Sequence, residues 1–251
     1  MKILYFDIET APMLAHIWQP KVDWVPHGQL VHDTFMLCWA AKWEDGGTVM
    51  FDNLSVKEVL EQDDFRIVES LAELVRKADI IVAHNINRFD LPQLNTRLLL
   101  HGQEPLGPVR TIDTLTLAKK SFRLAYNKLD YLAGVLAIGN KIKTDFDLWL
   151  DVYHGDPDAM ESMVEYNIKD VELLQEVLHK LKPYAVGLPR LVDAEEKDEM
   201  ICPFCGSGDL MRRGFYRTQS NNFARLQCQE CRRYSRIRQT DKATRLGVHP
   251  L

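Results

Sequence analysis

Residues 5 to 10, YFDIET, set two carboxylates two positions apart inside an apolar run. Successive side chains of a strand point to opposite faces, so Asp7 and Glu9 share one face with Ile3 and Tyr5, while Leu4, Phe6 and Ile8 share the other. A strand apolar on one face and ending in acids on the other has two destinations. Either its end reaches solvent, or the two like charges meet a divalent cation, since hard Mg²⁺ or Mn²⁺ is held by carboxylates together with phosphate oxygens.

The rest of the chain frames this strand. FMLCWAAKW, followed by GGTVMFDN around Gly46-Gly47, reads as a hairpin-like pair, giving three antiparallel strands with the first. Asp64 to Lys77 has helical spacing with Ile67, Leu71, Leu74 and Val75 on one side, and DIIVAHN is a short, continuously apolar strand of the kind buried under helices. LPQLNTRLLLHG reads as a helix stopping at Gly102. TIDTLTLAKKSF and NKLDYLAGVLAIG read as two further helices. Asp156 and Pro157 start a long helix that runs to Pro183. The order is that of an α/β fold with a mixed sheet flanked by helices.

Two further acids stand where the first strand's carboxylates could use them. Asp90, in AHNINRFDLP, lies just past the end of DIIVAHN, where ligands gather in open α/β sheets; it could equally cap the following helix. Tyr166 and Asp170, in EYNIKD, are i and i+4 on the long helix, beside an apolar stripe of Met160, Val164, Ile168, Val171, Leu174 and Leu178. Asp170 is therefore expected at the edge of what the helix buries, where an unpaired carboxylate is costly, although a surface acid over a packed Tyr166 would give the same spacing.

FDIET, NINRFD and YNIKD, in that order, resemble the three motifs of the DEDD 3′–5′ exonucleases, which have a ribonuclease H-like fold. Tyr in the third motif resembles the DEDDy branch. With YNKLDYLAGVLAIGNK, the set is most similar to the proofreading exonuclease domain of family B DNA polymerases, over about residues 1 to 185. The resemblance implies hydrolysis of phosphodiester bonds with two Mg²⁺ or Mn²⁺ ions, releasing nucleoside 5′-monophosphates from a 3′ end. It implies metal ligation by Asp7, Glu9, Asp90 and Asp170, with Tyr166 orienting the attacking water. Asn85 and Phe89 are candidate substrate contacts. No polymerase-like segment follows, so a stand-alone nuclease acting on DNA is expected. An exoribonuclease of the same fold, or an inactive nucleic-acid-binding adaptor, would share these motifs.

The last 51 residues differ in kind. The chain has a net charge of -5, but from Ile201 onward ten Arg or Lys face three Asp or Glu, a net of +7, leaving -12 on residues 1 to 200. Cys202, Cys205, Cys228 and Cys231 form two C-x₂-C pairs, a spacing that predicts a closed tetrahedral zinc site in a domain too small to fold without one. The pattern resembles a zinc ribbon, with Gly206 after the first pair. Arg212, Arg213, Arg232 and Arg233 are interleaved with Phe215, Tyr216, Phe223 and Tyr234, a composition suited to phosphates and unpaired bases. The ribbon is expected to engage nucleic acid or a replication or repair protein. Cys38 reads as an ordinary core residue.

The expected layout is thus an exonuclease domain over 1–190, an acidic linker over 191–200 and a basic zinc-ribbon domain over 201–251. No run approaches the roughly 18 apolar residues of a membrane span. Acids interrupt the N-terminal apolar run where a signal peptide would have its core, so a cytoplasmic protein is expected.

Overall fold

The computed structural model describes residues 1–139, 142–185, 187–192, 200–219, 221–238 and 248–250, with no account of the side chains of 238 and 248–250. The expected acidic linker DAEEKDE, 193 to 199, lies outside the described residues. Two compact units form: Lys2–Leu115 with Tyr126–Val177, and Thr116–Ala125 with Leu178–Leu251.

The first unit is built on a five-stranded sheet. Its strands are β1 (Ile3–Thr10), β4 (Met36–Trp43), β5 (Met50–Asn53), β6 (Ile80–Ala83) and β7 (Arg110–Asp113), while β2 (Leu14–Ala15) and β3 (Leu30–His32) make a separate small hairpin. The sheet order is β5-β4-β1-β6-β7. β1 is antiparallel to β4 and parallel to β6, so the expected mixed sheet is present with β1 at its centre. The helices are α1 (Val56–Glu61), α2 (Phe65–Arg76), α3 (Asp90–Leu100), α4 (Thr114–Ser121), α5 (Leu129–Val135), α6 (Phe146–Tyr153) and α7 (Pro157–Leu181).

Because helices cover the sheet, β1 is buried on both faces rather than one. Leu4, Tyr5, Phe6 and Ile8 are all buried, each contributing on the order of 1.5–3 kcal/mol. Tyr5 shares the face of Asp7 and Glu9, and its phenol is satisfied by donating to Glu44 Oε2 at 2.8 Å. α3 is fixed by the fully buried Asp64, whose two carboxylate oxygens accept from Arg97 Nε and an Arg97 terminal nitrogen, each at 2.7 Å. That clamp sets the position of Asp90, the first residue of α3. α3 ends before Gly102, whose φ of +64° only glycine adopts without strain.

Three elements depart from the expectation. RTID is a strand, not the start of a helix: β7 pairs in parallel with β6 along Ile80↔Arg110 to Ala83↔Asp113, a long-range pairing that helical spacing in the following TLTLAKKS obscures. α6 begins after Asp145. α1 is closed by a capping box in which Ser55 and Glu58 each accept from the other's backbone N–H.

The second unit contains β8 (Leu210–Arg217), β9 (Asn222–Cys228), β10 (Tyr234–Arg238) and β11 (Val248–Pro250) in the order β11-β10-β9-β8. Adjacent strands are antiparallel, and a small core of Ala224, Leu226 and Ile237 packs with Leu210.

Candidate active site and four-cysteine centre

β1 delivers Asp7 and Glu9 to one place, and a register shift between Glu9 and Thr10 ends the regular pairing with β4 there. Such bulges re-aim side chains at the ends of strands. α7 supplies the third acid. Asp156 Oδ1 accepts from the amides of Asp158 and Ala159 at 2.9 and 3.2 Å, fixing the start of the helix, as the sequence predicts. The helix then carries Tyr166, Asn167 and Asp170 down one side, and carboxylate oxygens of Asp7, Glu9 and Asp170 lie within 4.8 Å of one another. Asp170 is buried and Asp7 and Glu9 are half-buried.

Three carboxylates this close repel each other strongly in a partly dry site, and hard divalent cations suit an all-oxygen donor set. The cluster's charge also acts on its neighbours. Cys38 faces Glu9 across the β1–β4 pairing, and burial, then the charges of Glu9 and Asp7, push its thiol far up, so it stays a protonated core residue.

Asp90 is not among the three clustered acids. It is buried at the start of α3, and neither carboxylate oxygen has a hydrogen-bond partner of good geometry among the described residues. Burial pushes its carboxyl up to about 7, against the backbone amides of Asp90 and Ile8, with Asp113 adding a like charge. Asp113, half of a helix in the sequence reading, is instead the buried last residue of β7. It accepts from the Asn85 amide at 3.1 Å and faces Asn87 Nδ2 at 3.5 Å, holding the loop that leads to Asp90. Asn85 has φ +79°, a left-handed conformation that Asn tolerates better than most residues. Phe89, the N-cap of α3, is partly exposed.

Tyr166 is buried one turn before Asp170, with Trp149 of α6 edge-on to its ring at 5.8 Å. It lines a cavity of about 1000 Å³ with His84, Asn85, Lys128 and Lys143, among others. His84 Nε2 faces the Asn127 carbonyl at 2.9 Å and so carries the proton, leaving Nδ1 to accept from the Thr114 hydroxyl at 2.9 Å. The residue the sequence reading missed is Asn167, whose Nδ2 donates to Asp7 Oδ2 at 2.7 Å. Its signal was available: Asn167 precedes Asp170 by three positions, on the same side of the helix.

A sequence model of the RNase H superfamily matches residues 32–182, three-fifths of the chain, taking in Asp90, Tyr166 and Asp170. The chain belongs to the RNase H superfamily. β1, with Asp7 and Glu9, precedes the matched segment of this superfamily member but forms the centre of the same sheet. Among solved structures, the chain is similar to the family B DNA polymerase from the hyperthermophilic archaeon Pyrobaculum calidifontis, with a TM-score of 0.54 and 20% identity. The match covers 72% of this chain and 24% of the polymerase, so the chain spans about a quarter of that protein's length. At this identity the likeness establishes a ribonuclease H-like fold. No curated protein sequence matches.

The second unit brings Cys202, Cys205, Cys228 and Cys231 together, all Sγ atoms within 4.8 Å. Cys202 Sγ lies 3.6 Å from Cys231 Sγ, and Cys205 Sγ lies 3.6 Å from Cys228 Sγ. Disulfides need about 2.05 Å, whereas four thiolates about 2.3 Å from one zinc ion lie roughly 3.8 Å apart. The cluster therefore fits a tetrahedral metal. Gly206 follows the first pair with φ +78° and donates to the Cys202 carbonyl at 2.9 Å, and β8 and β9 join the two pairs, as the ribbon resemblance implies.

The ribbon arginines divide. Arg212 lies 4.8 Å from the Phe215 ring centre, and Arg225 lies 5.4 Å from that of Tyr234. Arg236 stacks at 4.8 Å on Phe223 and 5.2 Å on Tyr216. Arg213 Nε donates to Gln227 Oε1 at 3.0 Å, and Arg232 is exposed with φ +60°. Arg233 is set apart: it is buried, 3.6 Å from the Phe204 ring centre, and donates to the Ala185 carbonyl at 2.7 Å. Its burial makes it a structural group rather than a surface contact for a strand.

Among the described residues, no helix is long and apolar enough to cross a membrane.

Proposed function

We propose that the chain is a divalent-metal-dependent 3′–5′ exonuclease that hydrolyses DNA and releases nucleoside 5′-monophosphates. The observation that supports this reading best is the meeting of Asp7, Glu9 and Asp170 on the superfamily's central sheet, with Tyr166 one helical turn before Asp170. In this reading residues 1–190 carry the hydrolytic site and residues 201–251 are an appended ribbon.

Asp7, Glu9 and Asp170 would hold Mg²⁺ or Mn²⁺, with Asp90 serving a second ion. When bound, the ions activate an attacking water and neutralise charge developing on the leaving oxygen. Asn167 holds the Asp7 carboxylate through its amide, limiting the orientations that carboxylate can take. Tyr166, braced by Trp149, offers a hydroxyl that can orient water without acting as a strong base. Lys128 and Lys143, on the same cavity as Tyr166, supply positive charge for the phosphates of the strand behind the terminal nucleotide.

The four cysteines would hold one structural Zn²⁺. The Arg–aromatic stacks on the ribbon support contact with phosphates and unpaired bases.

The test is digestion of end-labelled DNA and RNA with Mg²⁺ or Mn²⁺. Mononucleotides should appear progressively from the 3′ end of DNA, and Asp7→Ala should abolish them. Full activity in Asp7→Ala, or products from the 5′ end, would overturn the assignment. Preferential digestion of RNA would reassign the substrate.

A further inference from the structure

The small hairpin between β1 and β4 has no task in the chemistry above, yet it leaves two tryptophans in water. Trp18 is 95% and Trp24 73% exposed. Met13, Leu14, Ile17 and Val22 on the same segment are also exposed, so the apolar surface is continuous rather than scattered.

Its base is tied beside the catalytic strand. The Ala11 amide donates to the Phe35 carbonyl at 2.8 Å, and the Thr34 hydroxyl donates to the Ala11 carbonyl at 2.7 Å, two residues beyond Glu9. Leu14 and His32 are register partners, and the His16 amide donates to the Gln29 carbonyl at 2.9 Å. Pro12, Pro20 and Pro26 restrict the segment's backbone, lowering the entropy lost when it is ordered against a ligand. A cleft of about 530 Å³ opens beside Trp18, between Ile17, Gln29 and Leu30.

Charge selects the occupant. Residues 1 to 200 are strongly acidic, but residues 12 to 33 contain only two acids, Asp23 and Asp33, against Lys21 and three histidines. A polyanion that reaches the carboxylates meets less repulsion along this segment than elsewhere on the unit. Flat, exposed, rigidly mounted indoles suit the faces of unpaired bases, which stack on aromatic side chains whatever their sequence.

We infer that Trp18 and Trp24 form a stacking platform for the unpaired bases of a single strand whose 3′ end lies at the Asp7–Glu9–Asp170 cluster. The inference rests on the exonuclease reading for its polarity, and on the hairpin's own exposure and anchoring for the contact. Nine residues separate Glu9 from Trp18, at most about 30 Å of extended chain, which confines the platform to nucleotides close behind the terminus.

The experiment uses the full chain carrying Asp7→Ala, so that substrate survives, and follows the anisotropy of a 5′-labelled single-stranded oligothymidylate. Adding Trp18→Ala and Trp24→Ala should weaken binding about tenfold or more. Abasic sites behind the 3′ end should weaken binding by the protein with intact tryptophans to a similar extent. Combined with the Trp substitutions, they should cost little more. That second arm leaves the protein unaltered, so a folding defect cannot imitate it. Unchanged affinity in the Trp variant, as expected if the platform instead receives a protein, would overturn the inference, and so would fully additive losses. Digestion by the unsubstituted chain is scored separately. Trp-dependent binding without hydrolysis would overturn the exonuclease reading and leave the platform standing, whereas hydrolysis with Trp-independent binding would overturn the platform alone.

Discussion

Asn167 Nδ2 donates to Asp7 Oδ2 across 2.7 Å, joining residues 160 positions apart at the point where α7 meets β1. The amide gives the carboxylate one fixed partner while leaving its other oxygen for a cation. Asn167→Ala is therefore expected to reduce hydrolysis about 10- to 100-fold, the usual effect of losing a group that orients a metal ligand. A higher metal concentration for half-maximal rate marks a positioning role. A lower rate with an unchanged metal dependence would argue against it.

The three clustered carboxylates destabilise the metal-free fold by mutual repulsion. Mg²⁺ or Mn²⁺ at about 100 times its dissociation constant should raise stability by roughly 2.7 kcal/mol, a shift of several degrees in thermal midpoint. Asp7→Ala should melt no lower than the unsubstituted chain without metal and should lose most of the metal-induced shift. Calorimetry with and without Mn²⁺ reads both.

Asp90 is buried with neither oxygen well hydrogen-bonded, so its charge costs stability that the metal-free protein does not recover. Asp90→Asn is expected to raise the metal-free thermal midpoint at pH 8 by a few degrees while abolishing or severely reducing hydrolysis. A lower midpoint would mean that the carboxylate has a structural partner.

Glu58 offers a pH test away from the acids. Hydrogen bonding to Arg66, opposed by burial and helped by the Ser55 amide and hydroxyl, holds its carboxyl down at about 2, below an ordinary value of 4.5. The native state therefore binds this proton less readily than the unfolded chain. Its contribution to stability is complete above 4.5 and is lost as pH falls toward 2. Both side chains are solvent-accessible, so the pair and cap together are worth only about 1 kcal/mol. Glu58→Gln should lower the midpoint at pH 7 by a few degrees, with the difference shrinking as melts are repeated from pH 5 downward.

The four-cysteine centre should bind one zinc ion per chain by elemental analysis. Replacing Cys202 by Ser should remove it. Because a site of this kind contributes its binding energy to folding, chelation should raise hydrogen exchange across β8, β9 and β10. Retained exchange protection after metal loss would show that the small core of Ala224, Leu226 and Ile237 suffices.

Much of the site was legible because its parts follow local rules. The two-residue period of β1 put Asp7 and Glu9 on one face, and the four-residue spacing of α7 did the same for Tyr166 and Asp170. The C-x₂-C pairs likewise gave the four thiols. What escaped was set by distant partners. RTID is a strand only because β6 lies beside it, and Arg233 reads like its neighbour Arg232 until the Phe204 ring covers it. The Ser55–Glu58 box was a local signal that passed unused.

The sequence alone determined which residues could ligate metals, where strands and long helices run, and that a basic, cysteine-paired segment follows an acidic body, since each depends on residue type and short spacing. Tertiary structure decided which acids meet. It gathered Asp7, Glu9 and Asp170, kept Asp90 buried at the start of α3, and set Asn167 against Asp7, because the convergence of β1 and α7 is fixed by burial of the whole sheet rather than by any short run of residues.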